Sequence, residues 1–140
     1  MKKIEDYIQG LDSMPSSEEL EGSREALQQD LAKLYPNGYA TLYRGFSSPS
    51  SKENLSEIFL TPDALISFSE SKETAIAIAE DRAEDLNEYG YAIEIKIPIK
   101  KIFFHYQLSK LGQEHPMEKE VIINPYSYDW EIFHYIKKLS

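Results

Sequence analysis

Residues 65–98 read LISFSESKETAIAIAEDRAEDLNEYGYAIEIKIP. The first five, LISFS, form the short apolar run of a buried strand that stops at serines. Ser69 or Ser71 can cap the helix that follows, because a serine oxygen accepts a free N–H of a first turn. The alanines and isoleucines of that helix face inward, and Gly90 punctuates its end. YAIEIKI then sets Tyr91, Ile93, Ile95 and Ile97 against Ala92, Glu94 and Lys96, the two-residue period of a half-buried strand that Pro98 ends.

On the N-terminal side, residues 3–10 read as a short helix. A second begins near Ser16 or Ser17, where SSEE resembles a capping box, and Leu20, Leu27, Leu31 and Leu34 share one face of it. Gly22 loosens its first turns. Pro36-Asn37-Gly38 is a turn that hands the chain to YATLYRGF, a strand expected over 39–45 with Arg44 at its end. On the C-terminal side, IKKIFFHY, EKEVIIN and DWEIFHYIK are three more strands, the last two joined by a turn at Pro125. Helices first and strands afterwards predict an α+β domain, largely antiparallel at its C-terminal end.

The 140 residues fit one domain over 1–140, with a helical part over 1–35 and a mixed-sheet core over 39–138. A domain of this size buries about two thirds of its unfolded surface, enough for a core and a cleft. With 41% hydrophobic and 28% charged residues the composition is that of a soluble globular protein. There is no cysteine, which excludes thiol nucleophiles, disulfides and cysteine zinc sites and makes the cytoplasm the expected location. No apolar run approaches the roughly 18 residues that span a bilayer, so neither signal peptide nor membrane anchor is expected. The net charge of −9 is concentrated in segments 1–30 and 70–88, a solvated surface on two helices. Its sign opposes a role that rests on phosphate neutralisation by Lys and Arg. His105, His115 and His134 lack metal-ligand spacing, so no metal is expected, and no Gly-rich nucleotide loop is present.

Three segments place polar groups where strands begin or end: Arg44 after LY, Ser67 and Ser69 within LISFS, and Glu118 with Glu120 at the start of EKEVIIN. Alternation along that strand sets Glu118 and Glu120 on one face, about 6–7 Å apart, with Val121 and Ile123 turned into the core. Each segment alone has an ordinary structural explanation.

Taken in order, LYRGF, LISFSESKETAIAIA, YAIEIKIP and EKEVIINP resemble the Arg-Ser-Glu mono-ADP-ribosyltransferases, which include clostridial and phage enzymes. The resemblance spans roughly residues 26 to 138. It implies N-terminal helices on two small, largely antiparallel sheets with an NAD cleft between them. It implies that Arg44 holds the phosphates of NAD, as a permanently charged fork suits phosphate oxygens, and that Gly45 lets the dinucleotide approach. The family's Ser-Thr-Ser motif falls on Ser67, Phe68 and Ser69, with Phe in place of Thr. The first serine of that motif orients the catalytic carboxylate, while the departure at Phe68 leaves open which serine does so here. Phe68 would face the nicotinamide if the strand twists locally.

Glu120 then takes the catalytic position. Nicotinamide leaves NAD as a neutral molecule and requires no general acid, so the carboxylate stabilises a ribosyl oxocarbenium and the ribose 2′-hydroxyl. Glu118 takes the position that engages the incoming nucleophile, and an acid there favours arginine as acceptor. The segment 107–117 corresponds to the turn that presents the target, so Tyr106 just before it and Gln113 and His115 within it would shape specificity. The implied activity is transfer of ADP-ribose from NAD, as co-substrate, to a protein side chain or nucleobase. The implied setting is a bacterial or phage toxin or effector, with a neutralising antitoxin or immunity protein as a partner. Two other readings compete: a non-catalytic acidic inhibitor or nucleic-acid mimic, and an NAD glycohydrolase on the same fold.

Overall fold

The computed structural model describes residues 16–51, 55, 65–109 and 119–139. The helix expected over 3–10 lies outside them, as do Gln113, His115 and Glu118.

Helix α1 (Ser17–Leu34) starts as its sequence dictates. Ser16 accepts the N–H of Glu19 at 3.2 Å, and the Glu19 carboxylate accepts the N–H of Ser16 at 3.3 Å, the reciprocal pair of a capping box. Leu27 and Leu31 bury against the sheet, while Leu34 on the last turn is exposed. The chain reverses at Pro36-Asn37-Gly38, where Gly38 has φ +81° and donates its N–H to the Tyr35 carbonyl at 2.9 Å.

Six strands follow: β1 (Tyr39–Ser48), β2 (Ile66–Ser69), β3 (Tyr89–Pro98), β4 (Ile102–His105), β5 (Glu120–Ile123) and β6 (Trp130–Ile136), with helix α2 (Lys72–Leu86) between β2 and β3. β1 runs past Arg44 to Ser48 because β3 pairs with it along its whole length, from Tyr39 opposite Pro98 to Ser48 opposite Tyr89. All neighbours are antiparallel, in the order β4-β5-β2-β1-β3-β6. The expectation of two sheets is therefore corrected: the described strands form one open sheet, because β1 and β2 pair. That joint is narrow, with Tyr43 opposite Ser69 as its single register pair. Nor do β5 and β6 form a hairpin. The turn after Pro125, where Tyr128 donates to the Pro125 carbonyl at 3.1 Å, sends the chain across to pair with β3.

β2 and β3 both run antiparallel to the β1 strand between them, so they are parallel to each other and α2 crosses over β1 to join them. The crossing is close. A Cβ on Gly45 would lie 1.9 Å from the Ala75 carbonyl oxygen, and one on Gly90 would lie 2.8 Å from that of Ala79. The buried helix residues are the small Ala75, Ala79 and Ala83. Gly90 is thus a strand residue beneath the helix rather than its terminator. The helix ends at Asn87, whose φ of 49° is left-handed.

The main core lies between α1 and the sheet, where Leu31, Leu42, Ile93, Ile97 and Ile123 are completely buried. On the other face α2 packs Ala75 and Ala79 against Ala92. No described helix is long and apolar enough to cross a membrane.

Candidate functional site

The narrow joint makes the site. Continued in the register of Tyr43 and Ser69, the pairing would bring Gly45 opposite Ser67, but β1 and β2 part there. The Ser67 carbonyl instead accepts Nη1–H of Arg44 at 2.7 Å. A side chain satisfies a strand oxygen that a backbone N–H would otherwise take.

A cleft of about 600 Å³ opens along this seam, within the size range of small-molecule sites. It is lined by Arg44, Ser67, Ser69 and Glu120 from the strands and by Thr74, Ile78 and Arg82 from α2. β2 and β5 pair with Ser69 opposite Glu120 and Ser67 opposite Ile122, so both serines share a face with Glu120. Ser67 lies on the diagonal from Glu120, and its hydroxyl donates to the carboxylate at 2.5 Å. Ser69 is buried, and its Oγ accepts the N–H of Ser71 at 2.9 Å. Ser71 then caps α2 by accepting the N–H of Thr74. Serines at every second position, 67, 69 and 71, therefore orient the carboxylate and turn the chain into the helix.

Arg44 is mostly removed from solvent, and burial, followed by the like charge of Arg82, holds its guanidinium below the usual arginine range. An arginine this basic keeps its charge all the same. No carboxylate among the described residues pairs with Arg44 or Arg82, and Nε of Arg44 is buried without a hydrogen-bond partner. In a chain of net charge −9 the cleft thus holds two cations, one from β1 and one from α2, with no carboxylate partner among the described residues, and a fixed carboxylate from β5.

The remaining expected residues are placed differently from one another. Gly45 borders the cleft, but its missing side chain is what lets Ala75 approach, so the demand on it comes from helix packing. Phe68 borders the cleft while its ring lies in the α1-side core, 2% exposed, which leaves almost no surface for a ligand ring. Tyr106 is buried and stacks on His105, with ring centroids 4.9 Å apart, outside the lining of the cleft. β5 begins at Glu120, and Lys119 before it has φ +47°, outside the extended region of a strand.

Arg82 went unassigned on sequence grounds, yet a signal existed. Thr74, Ile78 and Arg82 recur every four residues on the stripe beside the buried Ala75, Ala79 and Ala83, so the helix that covers the sheet also presents Arg82 to the seam.

Comparisons of the chain with family models, with curated proteins and with solved structures found no match.

Proposed function

We propose that the protein is a mono-ADP-ribosyltransferase that cleaves NAD in the seam between β1 and β2 and passes ADP-ribose to a macromolecule. The observation that carries this reading is the meeting of Arg44, Ser67 and Glu120 in one cleft, with Ser67 bonded both to the arginine, through its carbonyl, and to the carboxylate, through its hydroxyl. NAD is itself bipolar: its diphosphate is anionic and its nicotinamide ring cationic. Two guanidinium groups with no carboxylate partner among the described residues match the first, and a fixed carboxylate matches the second.

The chemistry asks for little else. As the bond between ribose C1′ and the nicotinamide nitrogen breaks, its electron pair leaves with the ring, and positive charge develops on the ribose. Glu120 stabilises that charge and accepts a hydrogen bond from the 2′-hydroxyl, provided it is held still. Ser67 holds it. Arg44 and Arg82 bind the diphosphate, and an acceptor nucleophile attacks C1′ from the open side.

Purified protein, NAD labelled in the adenylate and a cell lysate test the proposal, with protease and nuclease digestions separating the products. Label in protein or nucleic acid identifies the acceptor class, and free ADP-ribose alone means a glycohydrolase. No NAD consumption above that of the Glu120→Ala variant sinks the enzyme reading. The acidic-mimic alternative has a geometric difficulty, since α1 and α2 lie on opposite faces of the sheet and their acidic surfaces do not merge into one strip.

A further inference from the structure

On the face of the sheet opposite Glu120, a half-buried cluster gathers around one carboxylate that the proposed chemistry leaves unused. Glu70 follows directly on Ser69, at the end of β2. Its Oε2 accepts the hydroxyl of Tyr35, the C-cap of α1, at 2.5 Å, and its Oε1 lies 3.8 Å from Nε2 of His105, the last residue of β4. The Tyr35 hydroxyl is also 2.8 Å from that Nε2.

The proton positions follow from the neighbours. The N–H of Gln107 donates to Nδ1 of His105 at 3.2 Å, so Nδ1 is bare and Nε2 carries the hydrogen. Nε2–H donates to the Tyr35 oxygen, and the Tyr35 O–H donates to Glu70. The Tyr106 hydroxyl faces the same carboxylate and accepts from Gln107 Nε2 at 2.9 Å. His105 is completely buried, and burial holds its imidazole below the usual histidine range despite the opposing pull of Glu70. The relay is thus set in the neutral-histidine form.

What this cluster grips is the frame of Glu120. The main-chain N–H of Glu70 donates to the Lys119 carbonyl at 3.1 Å, one step beyond the last register pair, Ser69 with Glu120. The chain then leaves the strand at Lys119, which is left-handed. Glu120 is therefore the first residue of its strand, secured at its side chain by Ser67 and at the preceding peptide by Glu70.

We propose that Tyr35, His105 and Glu70 are positioning residues for Glu120: they tie the end of α1 and the end of β4 to the peptide that fixes where the β5 carboxylate starts. This inference rests on the reading of Glu120 as the carboxylate that drives NAD cleavage. Loss of the Tyr35 hydroxyl or of the Glu70 acceptor frees that peptide while leaving Arg44 and Arg82 in place.

The test uses the full chain carrying Tyr35→Phe, Glu70→Ala or Glu70→Gln. Tyr35→Phe and Glu70→Ala lower kcat for NAD consumption about tenfold, the scale of a small misplacement of a catalytic group. KM for NAD stays within about twofold because diphosphate binding is untouched. Glu70→Gln, which keeps an acceptor for the Tyr35 hydroxyl, restores most of kcat, and the Tyr35→Phe/Glu70→Ala double variant is no slower than the worse single one. Unchanged kcat with a lowered melting temperature, or Glu70→Gln as slow as Glu70→Ala, overturns the proposal. A ligand-free measurement separates it from the activity: amide exchange at Glu70 accelerates in Tyr35→Phe while that of core residues such as Ile95 does not. Unaltered exchange at Glu70 overturns the clamp whatever the catalytic result. Accelerated exchange in a protein that consumes no NAD sustains the clamp and overturns the enzymatic reading instead.

Discussion

At Ser67 two hydrogen bonds to different atoms of one residue connect the groups on which the proposed chemistry depends, Arg44 through the carbonyl and Glu120 through the hydroxyl. The two links separate under mutation. Ser67→Ala removes only the donor to Glu120, so kcat for NAD cleavage should fall by about one to two orders of magnitude with NAD affinity nearly unchanged, as expected for a contact that serves the transition state. Arg44→Lys should do the reverse, weakening NAD binding in titration calorimetry by about tenfold, because an ammonium cannot present a planar fork to phosphate. His105 carries a prediction about pH. Its pKa is depressed on folding by burial, so between that lowered value and the ordinary histidine value near 6.5 the unfolded chain binds a proton that the folded one does not. Its contribution to stability is full above about pH 6.5 and is lost as pH falls toward the folded value. Urea midpoints measured across pH 5 to about 7.5 should drop on the acid side, less so in His105→Gln.

Two glycines show how unlike demands arise within elements. Gly22 lies in α1 with nothing within 4 Å of where its Cβ would be, so Gly22→Ala should stabilise the protein by about 0.5–1 kcal/mol in urea titrations. Gly45 has backbone of α2 in the same space, and Gly45→Ala should cost on the order of 2–3 kcal/mol or more, the scale of an overpacked core, with activity lost through displacement of α2 and Arg82. Both are Gly in a sequence, and neither signals which kind it is. The capping box at Ser16 and Glu19 and the alternation of Tyr91 to Ile97 were legible, because local hydrogen bonding and a two-residue period depend on near neighbours. The length of β1 and the end of α2 at Asn87 were not. A strand extends as far as its partner reaches, and Gly90 reads as a terminator until a helix is seen lying across it.

Over the whole molecule, Arg44 and Arg82 from two different elements meet in one cleft on the α2 side of the sheet, so a ligand that engages both should also stabilise the fold. Saturating NAD should raise the melting temperature, since a ligand at a hundredfold excess over its Kd stabilises the folded state by about 2.7 kcal/mol. The same shift should persist in Glu120→Ala, which keeps the arginines, and vanish in Arg44→Ala. A scanning fluorimetry series with NAD, ADP-ribose and nicotinamide checks this: on the proposed role of Arg44 and Arg82 as diphosphate binders, ADP-ribose should retain most of the shift and nicotinamide should give little.

Read from residues alone, the chain specified an α+β domain and three segments with polar groups at strand ends, because strand ends, caps and alternation are written in neighbouring residues; that the three belong to one site was implied only by the family resemblance. The single sheet, its near-break between β1 and β2, the burial of Phe68 and Tyr106 and the arrival of Arg82 at the seam became visible only in the folded molecule. Each depends on which strand lies beside which and on how closely a helix can approach. Those distances are set by packing between residues far apart in the chain, to which no local period is sensitive.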